Sequence, residues 1–320
     1  MTAMTALNTE HSDPGDSGPG RRPVSRPGAW LAPRRSVRRG QPRRGPRAGR
    51  LPAVDALRPG LVVALAWLLL LIIAAVGPGA FTSRDPLAVE PAARLTGPSW
   101  AHPFGTDQLG RDLFARVVHG TGVSLTSALL ATTLGLVIGS ALGLLAGFRG
   151  SWADAVVMRL VDVLLSVPSL LTSLALIAVL GAGTRNIAIA MGLASVATCA
   201  RITRSEVLRV RESLSVEAAW SSGARWTRIL LRHALPNSMG PVWALAALEF
   251  GAAILAVSAL SFLGYGVRPP DPEWGSLVSA GRDHLRDAWW LTTLPGLTVT
   301  ATVLAANQVS RTVYDAGIPG

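Results

Sequence analysis

Residues 120–148 read GTGVSLTSALLATTLGLVIGSALGLLAGF, 29 consecutive positions without a charged side chain. As an α-helix this run is about 43 Å long, ample for a hydrocarbon core of about 30 Å. Gly135, Gly139, Gly143 and Gly147 recur every fourth residue within it. They fall on one stripe, and small residues on a stripe let a second helix approach closely in lipid. Further runs flank this one. Pro59–Ser83 is charge-free for 25 residues, Val163–Thr184 for 22, Asn186–Ala200 for 15 and Ala288–Ser310 for 23, while Ala234–Val267 is interrupted only by Glu249. The shortest run lies between Arg185 and Arg201, whose side chains can snorkel to the head groups. The expectation is an all-α membrane protein with six transmembrane helices.

Composition agrees. Of 320 residues 49% are apolar and 15% charged, against about 25% charged in soluble domains. All 30 basic residues are Arg, and there is no Lys. A P-loop needs a Lys on the phosphates and a Schiff base needs one as nucleophile, so neither chemistry belongs to this chain. A single cysteine, Cys199, excludes an internal disulfide, a Cys-based zinc site and an iron–sulfur cluster. In an apolar run it reads as a small buried residue. No GxSxG, HExxH or complete GxGxxG is present, and His102, His119 and His284 lack metal-ligand spacing. A membrane-embedded enzyme therefore has little support, and no cofactor or metal is expected on this chain.

The organisation follows from charge. Residues 1–58 are rich in Arg, Pro and Gly, with 12 Arg. They carry too little apolar surface to offset ordering entropy, so they read as a disordered cytoplasmic tail that touches anionic lipid. Residues 59–83 form the first transmembrane helix, 84–119 an extracytoplasmic segment, and 120–317 a five-helix core. With the N-terminus inside, 22 of the 30 Arg fall on the inner side, seven of them in the loop 201–236. The outer segments hold eight Arg against eight acids. The positive-inside rule thus expects both termini in the cytoplasm of a multi-pass plasma-membrane protein. It also places the +11 charge beside lipid, which removes the case for nucleic-acid binding.

The loop 201–236 reads as helix, turn, helix. Val207, Leu208, Val210, Leu214 and Ala218 keep roughly helical spacing, Gly223 suits a left-handed helix end, and Trp226, Ile229, Leu230 and Ala234 share a face before Pro236. Within it stand Glu217-Ala218-Ala219, Gly223 and His233-Ala234-Leu235-Pro236-Asn237. This pattern resembles the EAA loop of ABC-importer permeases. Three other stretches resemble the C-type permeases of the dipeptide, oligopeptide and nickel importers: His102-Pro103-Phe104-Gly105-Thr106-Asp107-Gln108-Leu109-Gly110-Arg111-Asp112; Arg159-Leu160-Val161-Asp162 with Val167-Pro168-Ser169; and Leu260-Ser261-Phe262-Leu263-Gly264 with Pro269-Pro270 and Pro272-Glu273-Trp274-Gly275. The resemblance spans about residues 100–317.

The resemblance implies a permease subunit, not an enzyme. It implies a heterodimer with a second permease, two ABC ATPase subunits or domains that use the ATP, and an extracytoplasmic substrate-binding protein. Glu217, Ala218, Ala219, Gly223, His233, Leu235 and Pro236 would form the surface that docks on the ATPase. The two alanines allow close approach, and Glu217 can pair with a basic group. The implied substrate is a dipeptide or oligopeptide, or nickel. One departure stands out: family members often carry Glu where this chain has Val257, whereas its own intramembrane carboxylate is Glu249. Such a group is costly in lipid, so Glu249 lines the pathway, contacts the partner permease or bonds a neighbouring helix. Asp162 reads as structural, paired with Arg159 three residues earlier. Asp107, Arg111 and Asp112 read as turn and helix-start residues, with a gate or docking surface as the other reading. An ion-coupled secondary transporter is the alternative function, but neither an internal repeat nor a set of buried ion ligands supports it.

Overall fold

The computed structural model describes residues 59–212, 235–267 and 270–317. These form α1 (Pro59–Val76), α2 (Leu113–Arg149), α3 (Ser151–Leu165), α4 (Ser169–Leu180), α5 (Thr184–Arg211), α6 (Leu235–Phe262), α7 (Trp274–Gly281) and α8 (Trp290–Gly317). Pairing of extended backbone among the described residues is limited to an isolated bridge between Thr106 and Asp112.

Among the described residues four helices are long and apolar enough to cross a membrane, α1, α2, α5 and the Pro241–Phe262 part of α6, whereas α8, which holds the expected last span, is long enough but less apolar. The third charge-free run departs from the expectation of one straight span. α3 and α4 meet at 88° and together count as one further crossing at most. The break has a local cause. Pro168 is extended (φ −53°, ψ 134°), and a proline disfavours helical backbone in the residue before it. α3 therefore ends before Val167, and α4 restarts at Ser169.

α2 and α5 form the tightest pair. A Cβ on Gly139 would lie 2.5 Å from Cys199 Cβ and 2.7 Å from the Val196 carbonyl oxygen. On Gly143 it would lie 2.5 Å from the Ala200 carbonyl oxygen, and on Gly147 2.9 Å from Val207 Cγ1. Gly135 meets Ser195 in the same way. As numbers rise along α2 they rise along α5, so the two helices run parallel. Cys199 and Ala200 are fully buried in this seam.

The other pairs run antiparallel. Trp67 Nε1 on α1 donates to Thr302 Oγ1 on α8 at 3.2 Å, while Gly60 lies beside Gln308. Ser310 Oγ on α8 donates to the Ala244 carbonyl on α6 at 2.6 Å, and Gly251 lies beside Ala306. A core of Leu113, Ile187, Ile254, Leu260, Trp274 and Trp290 ties α2, α5, α6, α7 and α8 together. The remaining apolar faces stay open: Val63 and Leu69 on α1, Val163 on α3 and Val179 on α4 are all exposed. Aliphatic faces of this extent belong in lipid or against another subunit.

The seam makes a direct prediction. Gly139→Ala pushes a methyl group against a carbonyl oxygen that cannot rotate away, and should destabilise the protein by about 1–3 kcal/mol. Gly296→Ala on α8 meets nothing within 4 Å. It should be neutral or slightly stabilising, because glycine weakens a helix interior. Thermal unfolding of both variants in one detergent checks the contrast. Equal melting temperatures would refute the seam.

The two ends of the bundle and the cavity between them

One end of the bundle is capped by the segment 77–112 and by α7. Asp112 starts α2: its Oδ1 accepts from Ala115 N at 2.8 Å, and its Oδ2 lies 2.7 Å from His102 Nδ1. Asp107 closes the turn before it, accepting from Leu109 N at 2.8 Å, Arg111 N at 3.0 Å and Arg111 Nε at 2.7 Å. All of these side chains are buried or nearly so. Trp290 Nε1 at the start of α8 donates to the Thr106 carbonyl at 3.2 Å. Gly105 (φ +74°) leaves room for that ring, since a Cβ there would meet Trp290 Nε1 at 2.7 Å. Arg116 donates to the carbonyls of Pro86 and Pro270 at 3.1 and 3.3 Å. Asp107, Arg111 and Asp112 are thus engaged in turn and helix-start bonds.

α7 is held by Glu273, which is fully buried. Its carboxylate accepts from Gly275 N and Ser276 N, each at 3.0 Å, and from Ser124 Oγ on α2 at 3.3 Å. Burial pushes this carboxyl above its ordinary value, and the two backbone N–H groups pull it back. Trp274 Nε1 completes the dock by donating to the Val117 carbonyl at 3.1 Å. Sequence reasoning saw the Pro-Glu-Trp-Gly stretch but not this role. A carboxylate three residues before Ser276, at the start of an apolar stretch, is the available signal for a helix cap.

The opposite end carries the basic residues. α5 continues without a break to Arg211, so the described part of the first helix read in the loop 201–236 is the extension of α5. Arg204 Nε and Nη2 donate to the two oxygens of Asp154 on α3 at 2.5 and 2.6 Å. Arg201 Nη2 donates to Asp162 Oδ1 at 2.5 Å. The expected partner of Asp162 was Arg159. The structure pairs it with Arg201 instead, because α3 lies against α5. The Arg204–Asp154 pair was not anticipated, since 50 residues separate its members and no local spacing announces it. Glu217, Ala218, Ala219, Gly223 and His233 lie outside the described residues. Leu235 and Pro236 open α6, with Pro236 in the first turn, where a missing N–H is tolerated. Next to this junction a cleft of about 670 Å³ lies between α5, α6 and α8, lined by Glu206, Leu245, Gln308, Arg311 and Tyr314 among others.

Midway along the bundle a second cavity, of about 440 Å³, lies between α2, α4, α5 and α6. Glu249 lines it together with Thr132, Ser169, Ser195 and Thr198, and the remaining wall is alanine, leucine and methionine. Val257 does not line it and is buried in the core. The structure thus brings Glu249 to a cavity and leaves Asp162, more than half exposed, at a helix surface away from it.

A family described as "Binding-protein-dependent transport system inner membrane component" matches residues 139–318 of this chain. The chain belongs to that family. It is 38% identical over 257 residues to the dipeptide transport system permease protein DppC of Alkalihalophilus pseudofirmus, covering 80% of this chain and 83% of that protein. It is 39% identical over 263 residues to the di/tripeptide transport system permease protein DppC of Pseudomonas aeruginosa, covering 80% and 87%. The glutathione transport system permease protein GsiD of Pectobacterium atrosepticum is 38% identical over 220 residues, 69% of this chain and 73% of its own. Among solved structures, a chain of the MetNI methionine ABC transporter in an inward-facing conformation superposes with a TM-score of 0.51 at 18% identity, covering 62% of this chain and 95% of that one. That likeness concerns the fold alone.

The permease is therefore an inner-membrane transport subunit of the ABC-importer class and not an enzyme. Its matched region begins at Gly139 in the α2 seam and runs through both the cavity and the basic end. At that end the Asp154–Arg204 pair is three-quarters shielded on the acid and 30% exposed on the Arg. Its coupling energy should be about 0.5–1 kcal/mol, the scale of partly solvated pairs. A double-mutant cycle of Asp154→Asn and Arg204→Gln, read by denaturant unfolding in detergent, measures it. Strict additivity would mean that the pair does not hold α3 to α5.

Proposed function

We propose that the permease is one transmembrane half of an ATP-driven importer of small peptides, fed by an extracytoplasmic binding protein. The observation that carries this reading is 38–39% identity with two dipeptide-type permeases over four-fifths of the chain. The partners are a second permease, two ABC ATPase subunits or domains that hydrolyse the ATP, and the binding protein. No cofactor is assigned to this chain itself.

Six crossings are supported by the helix directions. α2 and α5 run parallel, so the chain between them must return across the membrane once, and the bent α3–α4 pair is available to do it. α1 and α6 add two more crossings, and we assign α8, 28 residues long but less apolar than the other spanning helices, as the sixth. Six is even, so the N-terminal tail 1–58 and the C-terminus share a side, and the excess of Arg near residues 149, 201–211 and 311 favours the cytoplasm. On that side the tail's Arg can meet anionic lipid. Residues 59–83 are the first span, 84–119 the outer segment and 120–317 the core.

The loop 201–236 is the coupling surface in this reading. Glu217 offers a carboxylate to a basic group of the ATPase, Ala218 and Ala219 allow close approach, Gly223 sets the bend, and His233, Leu235 and Pro236 lead the chain back into α6. Closure of the ATPase pair on ATP displaces this loop, and α5 and α6 carry the displacement to the cavity.

Loss of a charge-assisted hydrogen bond weakens an interface by about 1.5–3 kcal/mol, roughly ten- to a hundredfold. Glu217→Ala should weaken copurification of the ATPase with the permease pair to that extent, and Gly223→Val should do the same by straightening the bend. Both should abolish ATP-dependent uptake of labelled alanyl-alanine into proteoliposomes. Uptake that survives ATP depletion in the parent protein, or variants that bind and transport normally, would overturn the proposal.

A further inference from the structure

Of the four hydroxyls that line the cavity with Glu249, two face it as acceptors only. Thr132 Oγ1 already donates to the Ala128 carbonyl at 2.8 Å, and Ser195 Oγ donates to the Gly192 carbonyl at 2.9 Å. Both hydroxyls have used their proton and present lone pairs only. Glu249 adds a carboxylate, and no basic side chain lines the wall. Among the described residues Glu249 has neither an ion-pair nor a hydrogen-bond partner. A charged group near the middle of a 28-residue helix carries a large desolvation cost unless a partner or water meets it. The floor around it is made of Ala252, Ala253, Ala256 and Ala259. These small side chains on one face of α6 leave the volume open, and about 440 Å³ falls within the range of small-molecule sites, about 300–1,000 Å³.

A carboxylate beside two acceptor-only hydroxyls, with no basic side chain among the described lining residues, calls for a ligand with several donors and a positive charge. An ammonium group has three N–H donors and no acceptor. A lone carboxylate with hydroxyls and no imidazole or thiolate is a poor set for a transition metal. We infer that Glu249 is the cation-recognising group of the translocation cavity, and that it takes the protonated amino group of the transported peptide. The inference rests on the peptide-importer reading above and deepens it. Thr132 and Ser195 accept the remaining N–H bonds, and the alanine floor accommodates side chains of differing size.

The test uses the complete transporter in detergent without its binding protein, so that the cavity is the only peptide site of this pathway present. Saturation-transfer NMR is recorded with millimolar alanyl-alanine and, separately, with propionyl-alanine, which lacks the amino group. The expected result is contact with alanyl-alanine in the parent protein, at least a fivefold loss of it in Glu249→Gln, retention in Glu249→Asp, and little contact with propionyl-alanine throughout. Uptake in proteoliposomes with the binding protein should fall in parallel in Glu249→Gln, while ATPase stimulation by the liganded binding protein persists. Equal contact by both ligands, or an unchanged Glu249→Gln, would overturn the inference. So would a Glu249→Gln permease that no longer assembles with its partner, which would assign the carboxylate to a subunit contact. The parent protein's ATP-dependent uptake is measured alongside. Its absence would sink the importer reading itself, a result distinct from failure at Glu249.

Discussion

Backbone contact between α2 and α5 constrains everything else in the bundle. Lipid supplies no hydrophobic drive for two helices to associate, so packing must hold them together. The four glycines deliver that packing by letting the carbonyls of Val196 and Ala200 reach the surface of α2. The contact is parallel, which obliges the chain to return between the two helices. It does so through α3 and α4, and the return is broken at Pro168. The break in turn sets Ser169 and Leu170 at the wall of the central cavity. The glycine stripe of α2 thereby obliges a return through α3 and α4, and Pro168 decides where that return bends beside the cavity.

The two ends of the bundle are held by different physics. At the capped end the bonds are buried: Trp290 to Thr106, Glu273 to Ser124 and to the start of α7, and Asp112 to the start of α2. Shielded from water, such bonds are electrostatically stronger and expensive to break singly. At the basic end the links are ion pairs with solvent access, Arg204 to Asp154 and Arg201 to Asp162. Pairs of that kind exchange readily with water and contribute little each. The capped end is the stiffer one, and the basic end can rearrange at small cost.

Much of this was legible in the residues, and what escaped did so for a definable reason. Apolar runs announced α1, α2 and, despite Glu249, α6, and the glycine period announced a tight seam, because both are local properties of one helix. The partner of that seam was not legible, since periodicity in α2 carries no information about which helix meets it. The Val163–Thr184 run read as a straight span although Val167-Pro168 lies inside it. Hydropathy and run length are both blind to a proline's backbone effect. Asp162 was assigned to Arg159 by helical spacing, yet α5 brings Arg201 closer. A local pair is always available to sequence reasoning, and a tertiary pair never is. Glu249 was recognised as costly, but its setting among alanines and spent hydroxyls required three other helices to be in place.

The missing lysine gives these observations a mechanical meaning. Without a P-loop lysine, a transport subunit of an ATP-driven importer takes its energy from a partner in the proposed reading, and α5 is placed to carry a displacement. One unbroken helix presents Ser195 and Thr198 to the cavity and ends at Arg211, just before the segment proposed to dock on the ATPase. Thirteen residues separate Thr198 from Arg211, about 20 Å of helix. A packed helix transmits displacement over such a distance with little loss, because its interior bonds do not stretch. For the cavity to stay still while the loop moves, α5 would have to slide along α2. Interdigitation at Gly139, Gly143 and Gly147 opposes that sliding, since each glycine seats a specific backbone atom of α5. α2 and α5 therefore move as one body, and the element left to yield is the pair α3–α4. This pair is tied to α5 by the partly solvated arginines Arg201 and Arg204 and by Val161 packed on Ala197 and Ala200, and it is already bent beside the cavity.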